Sequence, residues 1–219
     1  SQVRLVLTFR LAVALVLGSL RVLLRAGEYA SGQRTATRSQ TKISVSPGLM
    51  TPPAPLVIAC TYNSPVIARE LLNAPGILVN ARGREGMTAL MAAAVHGRPS
   101  ILRMLLAEPS IELNAKCDMG WTALAYALRG RNVEVVQTLL DVEGVDLAAT
   151  DTRGRTLLMI AVSTDHTEIV YLLLQQDEVR QSINARTGTT RKSRTVLQLV
   201  RSEGPTRFAD TLVAHGAKE

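Results

Sequence analysis

Residues 86–97 are GMTALMAAAVHG, and closely related lines follow as GWTALAYALRG at 120–130 and GRTLLMIAVSTD at 154–165. The threonines Thr88, Thr122 and Thr156 are evenly spaced along the chain, and each follows a glycine by two positions. A single globular core gives no reason for this regularity, whereas a stack of similar units requires it. The chain therefore contains an internal repeat whose period is the distance from Thr88 to Thr122.

A second marker has the same period. Adjacent leucines occur at 71–72, 105–106, 139–140 and 173–174. The first unit keeps this register although it lacks the Gly-x-Thr sequence, and insertions place the start of the last unit later than the period requires. The sequence thus predicts five units, which begin near Ala54, Thr88, Thr122, Thr156 and Thr195.

Each unit has the pattern of two short helices joined by a turn. The glycine before the threonine accepts the positive φ of a turn, and the threonine is a suitable N-cap. Leucines and alanines then recur three apart, and a second helix carries apolar residues such as Ile101, Met104 and Leu105. Helices of about two turns are marginal alone. Stacking of neighbouring units must bury their apolar faces, which predicts an all-α solenoid.

The pattern resembles the ankyrin repeat, whose motif is D-x-x-G-x-T-P-L-H-x-A-A followed by V-V-x-x-L-L. The fourth unit matches it at Asp151, Gly154, Thr156, Leu158 and Ala161. The family's proline is replaced in three units, by Ala89, Ala123 and Leu157. The resemblance covers residues 51–219 and implies an ankyrin-repeat solenoid of stacked helix-turn-helix units with β-turn fingers.

The positive charge of the chain is concentrated near its N-terminus. The net charge is +7, of which residues 1–50 contribute +6, whereas residues 51–219 hold eighteen basic and seventeen acidic residues. A nearly neutral repeat region does not form the basic face that nucleic acids require. We therefore expect a protein partner rather than a nucleic acid.

The residue types of catalysis do not form a constellation. His96, His166 and His215 lie at unrelated positions of different units, and no nucleophile, phosphate-binding or metalloprotease motif is present. The two cysteines, Cys60 and Cys117, are fifty-seven positions apart without a CxxC pair. We therefore expect no catalytic residue, no bound metal, no cofactor and no enzymatic activity.

Binding residues are expected on the fingers and on the concave surface of the solenoid. Trp121 with Arg155 is the leading anchor, since interface energy concentrates in Trp, Tyr and Arg. An alternative is that Trp121 packs across to the neighbouring finger. The long loop 185–194 either contacts an acidic partner or a nucleic-acid backbone, or is only solvated. The full set of expected partner-binding residues is Arg84, Met87, Met119, Trp121, Arg153, Arg155, Arg191 and Lys192.

The N-terminal region leaves several interpretations open. Residues 1–30 form a basic amphipathic segment, residues 31–53 a linker rich in Ser, Thr, Gly and Pro, and residues 54–219 the repeat domain. Three interpretations of the first segment remain open. It is a degenerate capping unit of the repeat, or a mitochondrial targeting or membrane-surface helix formed by residues 4–25, or unstructured sequence.

The expected function is that of a monomeric, cytoplasmic, non-catalytic module that binds a partner protein. The alternatives are a scaffold or targeting subunit held at a membrane or mitochondrion by the N-terminal helix, and a fragment of a larger enzyme or signalling protein.

Overall fold

The computed structural model describes residues 54–187, 193–203 and 205–218, and all of their regular structure is helical. Four units each contain a first and a second helix: α1 (Pro55–Thr61) with α2 (Pro65–Leu72), α3 (Ala89–Val95) with α4 (Pro99–Leu106), α5 (Ala123–Gly130) with α6 (Val133–Leu140), and α7 (Leu157–Ser163) with α8 (Thr167–Leu174). A short α9 (Asp177–Gln181) precedes the fifth pair, α10 (Val196–Glu203) and α11 (Ala209–Ala214). Short 3₁₀ turns lie at Arg84–Gly86 and Thr206–Phe208.

The capping threonines set where the first helices begin. In three units the Thr Oγ1 atom accepts a hydrogen bond from the backbone N–H three residues later, at 3.4 Å for Thr88, Thr122 and Thr156. In the fifth unit Thr195 and Gln198 cap each other reciprocally. Each of these first helices begins at the residue directly after its capping threonine, as the repeat pattern predicted. The N-cap prediction is confirmed.

A left-handed residue ends the first helix in four units. The φ angles are 53° at Asn63, 60° at Gly97, 55° at Arg131 and 56° at Asp165. Gly, Asn and Asp tolerate this conformation, while other L-residues lose about 1–2 kcal/mol in it. Arg131 therefore strains the backbone of the third unit, whereas Asn63, Gly97 and Asp165 adopt the same conformation at lower cost.

The units stack in sequence order. Each first helix packs against the first helices before and after it, from α1 through α3, α5 and α7 to α10, and the second helices α2, α4, α6 and α8 form a parallel row. One continuous apolar core runs through all units. Small residues allow the close approach: a Cβ atom at Gly130 would lie 2.5 Å from the carbonyl oxygen of Val95.

Asparagine side chains tie together the loops that follow the second helices. Asn80 donates to Ser110 O at 2.7 Å and accepts from Glu112 N at 2.9 Å. Asn114 makes the equivalent pair of bonds to Gly144 and Asp146. Asn184 does so to Gly216 and Lys218. The equivalent residue of the third unit is Ala148. Its side chain has no amide group and cannot make these two hydrogen bonds. The following loop, which an asparagine there would contact, contains α9.

None of the helices within the described ranges is long and apolar enough to cross a membrane. The predicted N-terminal segment 1–30 and linker 31–53 lie outside these ranges. Their assignments, and the domain boundary at residue 54, stay predictions.

We expect Leu139→Ala to lower the free energy of unfolding by about 2–5 kcal/mol. Leu139 is only 1% exposed and belongs to the continuous core. The measurement is urea-induced unfolding followed by circular dichroism. The matched control is Leu78→Ala, since Leu78 is 73% exposed and its loss should change stability by less than about 0.5 kcal/mol. Equal losses from the two variants would contradict the stacked core.

Candidate functional site

Three fingers within the described part of the chain form matching tight turns. A backbone N–H at the start of each finger donates to the carbonyl four residues later: Gly83 to Met87, Cys117 to Trp121, and Asp151 to Arg155, at 2.8–3.1 Å. Neighbouring fingers are joined by single backbone bonds, from Asp118 N to Glu85 O and from Thr152 N to Met119 O. These bonds fix the backbones of the fingers relative to one another.

A groove of about 610 Å³ lies between the third and fourth units. Its walls come from the finger turns of both units and from the ends of α5 and α7. We call it the arginine groove, because four arginines contribute to it. Its lining residues are Met119, Trp121, Arg129, Arg131, Asp151, Thr152, Arg153, Arg155, Ile160, Ser163 and Thr164.

Trp121 is buried beneath the groove and does not project into solvent. Its side chain is part of the core, the residue being 7% exposed, and its ring meets that of Tyr126 edge-on at 5.3 Å between centroids. The indole Nε1–H donates to Asp151 Oδ2 at 3.3 Å. The expectation of an exposed anchor at Trp121 is therefore wrong. The indole packs across to the neighbouring finger, which was the alternative.

Two guanidinium groups lie against the Trp121 ring. The guanidinium carbon of Arg129 is 5.4 Å from the ring centroid, and that of Arg155 is 5.7 Å away. These distances are within the range of cation–π attraction. Trp121 thus positions two of the groove's arginines, although it offers little surface of its own.

Asp151 is the acidic residue of the groove lining, and its carboxylate accepts hydrogen bonds from neighbouring groups of the protein. Its Oδ1 accepts from the backbone N–H groups of Arg153 and Arg155 at 2.9 and 2.8 Å. Its Oδ2 accepts from the Arg155 guanidinium at 2.7 Å. Burial alone would raise the pKa of Asp151, but the hydrogen bonds and charge of Arg155, with the Arg153 amide, hold the pKa below its ordinary value. The charge of Arg155 is therefore paired within the protein.

The other three arginines of the groove are available to a ligand. Arg129, Arg131 and Arg153 are all exposed. Within the described part of the chain, none of the three side chains makes an ion pair or hydrogen bond to another residue. The groove therefore presents three uncompensated positive charges around a rigid aromatic base.

The groove brings together four of the eight predicted binding residues: Met119, Trp121, Arg153 and Arg155. Arg84 and Met87 lie on the preceding finger, where Arg84 is exposed and Met87 packs partly against the core. Arg191 and Lys192 lie outside the described residues. Arg129 and Arg131 were not among the predicted binding residues, and they lie at the end of the first helix of the third unit.

The described residues show no group of three or more His, Cys, Asp and Glu side chains that could hold a metal ion. Cys60 and Cys117 are buried free thiols. Burial raises the pKa of Cys60 to about 12, so this thiol stays protonated at neutral pH and is a poor nucleophile.

The comparison with known families agrees with this architecture. The family model described as ankyrin repeats (3 copies) matches residues 20–117, 56–151, 108–187 and 134–218 in overlapping segments. The chain belongs to the ankyrin-repeat family. No curated protein matches it. Ankyrin repeats are generally protein–protein interaction modules, and domains built from them are typically non-catalytic. The all-α ankyrin solenoid predicted from the sequence is confirmed.

We expect Trp121→Ala to destabilise this ankyrin stack by about 3–5 kcal/mol, because it removes a buried ring and leaves a cavity between two fingers. Thermal and urea unfolding measure the loss. Met119→Ala is the control from the same finger, since Met119 is 39% exposed and its loss should cost less than about 0.5 kcal/mol. A Trp121→Ala variant as stable as this control would show that the indole is not structural.

Asp151→Asn should cost roughly 1.5–3 kcal/mol at neutral pH, since it removes the charge that binds Arg155. The pKa of Asp151 is lowered in the folded state. Its stabilisation is therefore present above the unfolded pKa of about 3.9 and is lost as the pH falls through the lower folded pKa.

The difference in unfolding free energy between wild type and Asp151→Asn should accordingly shrink between about pH 5 and pH 3. Urea titrations across this range measure it. Asp118→Asn, in the exposed part of the neighbouring finger, should differ little from wild type throughout. A difference for Asp151→Asn that did not change with pH would contradict the assigned charge pairing.

Proposed function

We propose that this ankyrin-repeat chain is a non-catalytic module whose partner protein binds in the arginine groove and on the adjoining finger tips. The observation that supports this is the meeting of side chains from two units at one site. Arg129 and Arg131 come from the third unit and Arg153 from the fourth, while the bond from Thr152 N to Met119 O fixes the distance between the two fingers.

Rigidity of the groove favours binding. Its base is held by the Trp121–Asp151 bond and its wall by the Arg155–Asp151 ion pair, so little side-chain entropy is lost there when a partner docks. Exposed Met119 adds a flexible apolar contact at the rim. Arginine is one of the residue types in which interface energy concentrates.

The proposal is tested by site-specific photo-crosslinking in extracts of the source cells. A benzophenone amino acid replaces Met119 at the rim of the groove in one variant. In the control it replaces Tyr171, which is 46% exposed on the second helix α8. We expect a discrete protein adduct from position 119 that excess unlabelled wild-type chain suppresses, and none from position 171. Adducts from position 171 alone, or from neither position, would overturn the proposal.

A further inference from the structure

Arg131 occupies a position where the backbone does not favour arginine. The equivalent residues of the other units are Asn63, Gly97 and Asp165, and all four positions have φ between 53° and 60°. Gly, Asn and Asp are the residues that adopt this conformation readily. The third unit therefore keeps a side chain that its local conformation opposes.

Packing does not explain the arginine either. The neighbouring Gly130 is required by the stack, because a Cβ atom there would lie 2.5 Å from Val95 O. Arg131 itself is exposed and donates no side-chain hydrogen bond to another described residue. What its side chain does contribute to is the lining of the arginine groove. Backbone strain that the fold does not need is typical of functional positions.

The groove has the chemistry of a carboxylate receptor. Arg155 is neutralised by Asp151 at 2.7 Å, whereas Arg129, Arg131 and Arg153 are exposed, line the same groove and have no acidic partner among the described residues. The guanidinium group is a planar fork that binds a carboxylate through two parallel hydrogen bonds. Three such groups at one site suit a ligand with several acidic side chains.

We propose that the arginine groove binds an extended acidic segment of the partner protein, whose Asp and Glu carboxylates pair with Arg129, Arg131 and Arg153. This inference rests on the proposed function and specifies the chemistry of the partner. A nucleic acid fits less well. The aromatic ring in the groove, that of Trp121, is buried and offers no face for base stacking, and residues 51–219 carry eighteen basic against seventeen acidic residues.

The test uses the full chain and three fluorescein-labelled probes of equal length: an octaglutamate peptide, an octaglutamine peptide and an eight-nucleotide oligothymidylate. Fluorescence anisotropy at near-physiological salt reports binding. We expect the glutamate peptide to bind and the glutamine peptide to show no measurable binding. The oligothymidylate should bind at least tenfold more weakly than the glutamate peptide, which is a difference of about 1.4 kcal/mol in binding free energy. An oligothymidylate that binds as tightly as the glutamate peptide would overturn the inference in favour of nucleic acid.

Two variants that each remove one positive charge separate the groove from general electrostatic attraction. Arg131→Asn introduces the residue found at the equivalent Asn63, so the variant should melt at the same temperature as wild type or higher. It should bind the glutamate peptide about fivefold more weakly. Arg69→Gln removes a charge from the exposed surface of α2 and should change affinity by less than about twofold. Equal weakening by both variants would show binding by overall charge and would overturn the inference.

The inference and the proposed function can fail separately. If the glutamate peptide does not bind but position 119 crosslinks to a partner, the acidic-segment inference is overturned and the protein-binding function stands. If neither result is obtained, both are overturned.

Discussion

The first helix of each unit is covered partly by its own second helix and partly by the first helices of the neighbouring units. The central alanines of these helices, Ala93, Ala127 and Ala161, recur at the period of the repeat and have no exposed surface. Their small size lets adjacent first helices approach closely, and Gly130 extends this contact to the backbone of α3. Because each unit depends on its neighbours in this way, the stability of the solenoid resides in the junctions between units.

The arginine groove is a product of one such junction. The Trp121–Asp151 bond joins residues of successive fingers, and neither finger contains both groups. The two guanidinium groups beside the indole likewise come from different units. A groove built across a junction is as rigid as the contact that holds the two units together.

The fold could be predicted from the sequence because its determinants are local and periodic. The threonine caps and the adjacent leucines repeat at a fixed spacing, and each acts within its own unit. The position of Trp121 could not be predicted this way. Its place between a turn glycine and a capping threonine indicated a variable, outward residue, whereas a carboxylate on the next finger, that of Asp151, draws the indole inward.

Arg129 and Arg131 were missed for a related reason. The repeat pattern treats the end of the first helix as a turn and assigns no role to its side chains. The available signal was the register itself, which aligns Arg131 with Asn63, Gly97 and Asp165. A residue that departs from the conformational preference of its equivalents marks a site more specifically than an aromatic residue in a variable position.

Ala148 replaces the clamping asparagine at the junction that carries the groove. On the loop side, Asn80, Asn114 and Asn184 each bind two backbone groups of the next loop, and the junction between the third and fourth units lacks this pair of bonds. On the finger side the same junction keeps the Thr152–Met119 and Trp121–Asp151 bonds. The hydrogen bonds of this junction are therefore concentrated on the finger side, beside the groove. A substitution that breaks the Trp121–Asp151 bond would weaken the groove and the cohesion of the stack together.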